Sequence, residues 1–185
     1  MSKNNRHLEI IIGPMFSGKS TEIIKKIKLL QKIDKKVLII KPVIDNRYET
    51  NKITTHNQES VDCIILNNLN DMDFSSIESF DALVIDEAQF FSDLYEVIKF
   101  ILDNFNINII VAGLDGDFQR KPIGQILNLI PLADKCIKLN SYCSLCKDLT
   151  EAPFSFRLDQ SKEIFLVGGA DKYIPVCRMH YDCPH

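Results

Sequence analysis

The stretch that most constrains this chain is Gly13-Pro14-Met15-Phe16-Ser17-Gly18-Lys19-Ser20, which reads G-x-x-x-x-G-K-S. A loop of this kind works only between a strand and a helix. Both flanks are present: an apolar run from Leu8 to Ile12 precedes it, and a helical pattern from Lys19 to about Ile33 follows. Gly13 and Gly18 let the backbone bend so that successive N–H groups face phosphate oxygens, and the helix N-terminus adds partial positive charge. In that setting Lys19 reaches the β and γ phosphates and the Ser20 hydroxyl binds Mg²⁺. The loop therefore predicts a site for a nucleoside triphosphate.

The segments after the loop repeat its logic. Ile23, Ile24, Ile27, Leu30 and Ile33 recur at helical spacing, with Lys25, Lys26, Lys28 and Lys32 on a solvated face. Val37 to Ile40 is a continuous apolar run, as a strand covered on both faces requires. Residues 42–58 are polar and without period, a loop of functional length. Cys63 to Leu66 reads as a short strand, and 67–80 as holding one weak helical turn. Asp81-Ala82-Leu83-Val84-Ile85-Asp86-Glu87 is an apolar strand ending in carboxylates, the place for a Mg²⁺-organising acid. A helix opened by Ser92 and Asp93 carries a buried stripe of Leu94, Val97, Ile98, Ile101, Leu102 and Phe105. Ile107 to Ala112 is the next strand, 113–122 a loop, Ile126 to Leu132 a short helix and Lys135 to Leu139 the last core strand.

Strand–helix alternation with short connections predicts an α/β fold, a parallel sheet flanked by helices, joined by right-handed crossovers. Ligands of such sheets sit beyond the carboxyl ends of the strands. Residues 13–20, Asp86–Glu87 and 114–118 all map to that rim.

The six cysteines divide the chain. Cys63 and Cys136 stand singly in apolar surroundings and read as buried thiols. The other four cluster after Asn140, where Cys143-Ser144-Leu145-Cys146 is C-x-x-C and Cys177-Arg178-Met179-His180 is C-x-x-H. Two such knuckles hold a tetrahedral zinc, so Cys143, Cys146, Cys177 and His180 are the expected ligands. Cys183 and His185 are nearby competitors for the fourth position. Four protein ligands leave no place for water, which makes the zinc structural. The expected division is a nucleotide-binding domain over 1–139 and a small zinc domain over 140–185.

A formal net charge of −3 supplies no global basic field for nucleic acid. No apolar run approaches the ~20 residues that span a bilayer, and the polar N-terminus leads into a strand too short for a signal peptide. A cytoplasmic protein is expected, with no nucleic-acid or membrane partner. The reading that competes from another class is a zinc-ribbon ATPase that binds nucleic acid.

Taken together, Gly-Pro-Met-Phe-Ser-Gly-Lys-Ser at 13–20, Asp-Glu-Ala-Gln-Phe-Phe at 86–91, Asp-Gly-Asp-Phe-Gln-Arg-Lys-Pro at 115–122 and Gly-Gly-Ala-Asp-Lys-Tyr at 168–173 resemble the cellular and poxvirus type of thymidine kinase. The resemblance runs from about residue 8 to 181. It implies transfer of the ATP γ-phosphate to the 5′-hydroxyl of thymidine, a homotetramer and feedback inhibition by dTTP. It implies nucleotide contacts from residues 13–20, from Asp45, Asn46 and Arg47, and from Asp86, Glu87, Ala88 and Gln89. Glu87 takes the role of general base, Asp86 holds Mg²⁺ and Arg47 offsets charge on the phosphoryl group. On the substrate side it implies Phe118 against the thymine ring, Met15 and Leu114 near its methyl, Phe90, and Tyr173 closing the pocket. Ile164, Phe165, Leu166, Val167 and Gly168 match the family's lasso, which reads the base through its backbone. Read without the resemblance, Glu87 is a second metal-shell acid or a helix cap, Phe118 a core residue, and 164–168 a strand of the zinc ribbon. Two departures stand out: the second knuckle ends in His180 where animal and poxvirus members carry cysteine, and Ala88 replaces a glycine.

Overall fold

The computed structural model describes residues 6–44, 52–54, 60–146, 148–159, 169 and 171–183. At its centre six strands lie in one sheet: β1 (His7–Ile12), β2 (Val37–Pro42), β5 (Ile64–Leu66), β6 (Ala82–Ile85), β7 (Asn108–Gly113) and β8 (Lys135–Lys138). Their order is β5-β2-β6-β7-β1-β8, and every pairing is parallel. Strand β1 is therefore interior, between β7 and β8, and its residues from Leu8 to Ile12 are all buried. Beside the sheet, β3 (Lys52–Thr54), which falls inside the stretch that reads in sequence as a loop, pairs antiparallel with β4 (Ser60–Asp62) just beyond it.

Period-two alternation splits the strand side chains between two layers. Leu8, Ile10 and Ile12 of β1 join Leu83, Ile85, Ile109 and Val111 under α2 (Leu94–Asn104) and the 3-10 helix Ile126–Leu132. Ile11, Ile39, Val84, Ile110 and Ala112 face the other way, against Ile23, Ile24 and Ile27 of α1 (Lys19–Gln31) and Ile53 of β3. The stripe expected on α2 is met, with Leu94, Val97, Ile98 and Ile101 buried and Leu102 and Phe105 packed at its margin. That on α1 ends early: the helix stops at Gln31, and Ile33, on the turn beyond it, is 65% exposed. Lys26 also leaves the solvated face, because Glu9 of β1 draws its ammonium to 3.1 Å.

Cys136 departs from expectation. It lies on β8, an edge strand with no partner on its outer side among the described residues, and is exposed; Cys63 is partly buried against the α1 layer. An apolar neighbourhood in sequence does not bury a residue on a sheet edge. The segment 67–80 holds two 3-10 helices, Leu69–Asp71 and Phe74–Ser79, where one weak turn is expected.

After β8 the chain changes scale. Strands β9 (Ser141–Tyr142) and β10 (Glu151–Ala152) pair antiparallel, as do β11 (Phe154–Arg157) and β12 (Tyr173–Val176), and α3 (Arg178–Asp182) closes the segment. Among the described residues its buried apolar set is small: Cys143, Ala152, Tyr173, Val176 and Cys177. No helix among the described residues is long and apolar enough to cross a membrane.

Candidate active site

Parallel pairing brings the carboxyl ends of β1, β6 and β7 to one rim of the sheet. The 13–20 loop leaves β1 there and runs into α1. Within it Phe16 and Gly18 take positive φ values of 64° and 83°, the left-handed turns that fold the loop back on itself. A side chain at Gly13 would run into the carbonyl of Leu139, so only glycine lets β8 lie this close. Lys19 is buried and its ammonium donates to the Pro14 carbonyl at 2.6 Å, which holds it folded over the loop. The Ser17 hydroxyl is buried and has no hydrogen-bond partner among the described residues. A buried unpaired hydroxyl beside a captive ammonium suits a phosphate oxygen.

The acids at the end of β6 diverge. Asp86 is buried; its carboxylate accepts from the Ser20 hydroxyl at 3.2 Å and from the Glu87 backbone N–H at 2.9 Å. Glu87 sits in the left-handed region, at φ 49° and ψ 39°. Its carboxylate accepts from Gln89 Nε2 at 2.6 Å, two residues on in the 3-10 helix Ala88–Phe90. The Gln89 carbonyl oxygen in turn accepts from the Leu114 N–H at 3.0 Å. Gln89 is only 2% exposed, so both ends of its amide are engaged within the protein, between Glu87 and the loop after β7. Glu87 stands at the N-cap position of that 3-10 helix, but its side chain makes no capping hydrogen bond there.

Gly124 guards this arrangement. At φ +60° a side chain there would stand 2.8 Å from the Gln89 Cα. Gly124→Ala should cost on the order of 1–3 kcal/mol, lowering Tm by about 2–10 °C in a thermal melt. Gly116→Ala is the control, because its nearest contact would be an ordinary 3.5 Å and Tm should hold.

The loop 114–122 is built on Asp117, whose carboxylate accepts from the Gln119 and Lys121 N–H groups at 2.8 Å each. Phe118 is partly buried on this loop, so the alternative of a core residue falls away. The buried guanidinium of Arg157 stacks on one face of its ring, 3.8 Å from the centroid, and also donates to the Tyr173 hydroxyl at 3.1 Å. The Met15 N–H donates to the Ser155 hydroxyl at 2.9 Å, which ties the 13–20 loop to β11. Ser155 and Arg157 were not expected at the site. Their signal is a period-two one, since in Phe154-Ser155-Phe156-Arg157 the polar residues are the ones turned inward. Asp45, Asn46, Arg47 and the stretch from Ile164 to Gly168 lie outside the described residues. A cavity of about 320 Å³ opens among Ile12, Pro14, Asp117, Leu127 and Phe154; neither Glu87 nor Phe118 lines it, so it is not the pocket those residues define.

The four metal donors meet. One atom from each of Cys143, Cys146, Cys177 and His180 lies within 4.8 Å of the rest. His180 Nδ1 stands 3.5, 3.3 and 3.3 Å from the sulfurs of Cys143, Cys146 and Cys177, and Cys146 and Cys177 are 3.7 Å apart. A tetrahedral zinc with usual bond lengths gives edges of about 3.6 Å for S–N and about 3.8 Å for S–S. Cys183 is exposed and outside the cluster; His185 is not among the described residues. The thiols are electrostatically at odds without a cation. Burial opposes ionisation of Cys143, but the backbone N–H groups of Cys177, Leu145 and Cys146 outweigh it and hold this thiol down at about 6. Burial and the neighbouring Cys143 thiolate then push Cys146 up to about 11. A divalent cation removes that conflict.

Comparison with known proteins agrees with this geometry. The family model described as thymidine kinase matches residues 6–181. The thymidine kinase of Yaba monkey tumor virus is 42% identical over 181 residues, which cover 98% of this chain and 97% of the relative. That of vaccinia virus strain Western Reserve is 44% identical over 178 residues, 96% and 98% of the two chains. The human cytosolic thymidine kinase is 41% identical over 180 residues, 97% of this chain and 75% of the relative. A match that starts before β1 and runs past the last zinc donor leaves one assignment, and the chain belongs to the thymidine kinase family.

Proposed function

We propose that the chain transfers the γ-phosphate of ATP to the 5′-hydroxyl of thymidine, giving dTMP and ADP for DNA synthesis. The observation that carries this reading is the divergence of Asp86 and Glu87, one held on Ser20 and the other turned to Gln89 and the Leu114 loop. Adjacent carboxylates in one strand end thus serve two partners. Lys19, Ser17 and the loop backbone hold the triphosphate, joined by Asp45, Asn46 and Arg47. Ser20 and Asp86 are the residues that would hold Mg²⁺, which when bound neutralises charge between the phosphates. Glu87 accepts the proton of the 5′-hydroxyl as oxygen bonds to phosphorus.

Phe118 offers thymine the ring face that Arg157 leaves free, and Met15, Phe90, Leu114 and Tyr173 complete the pocket with the 164–168 backbone. Residues 1–139 supply the phosphate chemistry, and residues 140–185, folded on zinc, close over the nucleoside. A cytoplasmic homotetramer inhibited by dTTP, with no nucleic-acid partner, completes the reading.

The test is direct. Purified protein with Mg²⁺-ATP should release ADP only when thymidine is present, and competition among pyrimidine nucleosides at fixed ATP reads its breadth. Hydrolysis stimulated by DNA and indifferent to thymidine would instead favour the nucleic-acid ATPase.

A further inference from the structure

The 114–122 loop meets the segment beside it at the stack of Arg157 on Phe118 and, further along, across a cavity. The cavity of about 320 Å³ lies along that seam, between Asp117 on one side and Phe154 on the other. A few directional contacts span it, and several come from α3. The Tyr181 hydroxyl donates to the Phe118 carbonyl at 2.6 Å. Asp182 pairs with Arg120 at 3.0 Å, and the Arg120 guanidinium lies 4.1 Å above the Tyr181 ring. Arg120 holds a left-handed backbone at φ 63°, a conformation that persists only where surroundings enforce it.

The latch is anchored where metal binds. Tyr181 follows His180 directly, and its N–H donates to the Cys177 carbonyl at 2.9 Å. Its ring packs on Phe154 and Phe156, at 5.4 and 6.0 Å between centroids. Two consecutive residues of a five-residue helix thus connect two of the four metal donors to the loop that carries Phe118.

We infer that Tyr181 and Asp182 are positioning residues, a latch through which the zinc-held segment sets the Phe118 loop and hence the affinity for the nucleoside. The inference rests on Phe118 being a thymine contact. The hydrogen bond that ties the phosphate loop to this segment runs from Met15 to Ser155 on β11, whereas that from Tyr181 runs to Phe118, so the latch is expected to act on the nucleoside side.

The experiment compares Tyr181→Phe, Asp182→Asn and Phe118→Ala with the parent as zinc-loaded full-length enzymes. Tyr181→Phe keeps the ring and removes one hydrogen bond, worth about a 3- to 10-fold rise in thymidine KM. The KM for ATP and kcat should stay within about twofold, and the zinc-to-chain ratio should remain one. Amide hydrogen exchange over residues 117–121 should quicken in Tyr181→Phe and in Asp182→Asn, a readout that does not depend on turnover. Asp182 is exposed, so its variant tests the latch even where Tyr181→Phe fails to fold. Unchanged thymidine KM and loop exchange in both variants, with zinc retained, would overturn the latch. So would equal rises in the two substrates' KM, which mark general loosening. A rise in Phe118→Ala alone leaves the thymine contact standing and the latch refuted; no rise in Phe118→Ala removes the premise itself.

Discussion

Glu87→Gln is expected to bind ATP as the parent does and to turn over about 10²- to 10⁴-fold more slowly. The substitution keeps shape and hydrogen bonding: a glutamine carbonyl at 87 still accepts from Gln89 Nε2, as the carboxylate does at 2.6 Å. The left-handed turn at 87 belongs to the backbone and is equally open to either residue. Asp86 and Ser20, on the phosphate side, are untouched. What disappears is the capacity to take a proton from the 5′-hydroxyl. ATP affinity by equilibrium titration separates loss of chemistry from loss of binding, and a Tm within about 2 °C of the parent excludes unfolding. Near-normal turnover would remove Glu87 from the role of base and leave it a residue that orients Gln89.

The contrast between Asp86 and Glu87 also shows how far sequence carries. A run of apolar residues ending in two acids places both at a strand end, and the 13–20 pattern places a triphosphate beside them. Nothing in that run indicates that the backbone reverses hand at 87 and sends neighbouring carboxylates to different partners. That depends on Gln89, which is fixed by Leu114 and fenced by Gly124, residues 25 and 35 positions further on. The parallel sheet was readable because covered strands are continuous apolar runs; its order was not, which is why Cys136 was expected inside and lies exposed on β8. The meeting of Cys143, Cys146, Cys177 and His180 was readable because knuckle spacing is local. The bonds from Ser155 to Met15 and from Tyr181 to Phe118 were not, since they span 140 and 63 residues and involve types common anywhere in a chain.

The largest effect on the nucleoside side should follow from the metal. Cys146→Ser or His180→Ala is expected to bring the zinc-to-chain ratio close to zero and to reduce thymidine phosphorylation by more than about 100-fold. Among the described residues after β8 the buried apolar set is Cys143, Ala152, Tyr173, Val176 and Cys177, while Phe154 and Phe156 are only partly covered. Burying so few side chains yields a few kcal/mol, against about 10–16 kcal/mol for a structural zinc site. The metal is therefore expected to supply much of what orders the described part of that segment. With it gone, the supports at Ser155, Arg157 and Tyr181 are lost together, each of which touches the 13–20 loop or Phe118. The six-stranded sheet has its own two-layered core and should keep its far-UV dichroism and its affinity for ATP. Metal retention should also fall on acidification, because every donor must be deprotonated to bind. Cys183→Ser is the matched control: its thiol is exposed and outside the donor cluster, so the ratio should stay at one. A full complement of zinc in His180→Ala would show that the fourth ligand lies elsewhere, at Cys183 or His185.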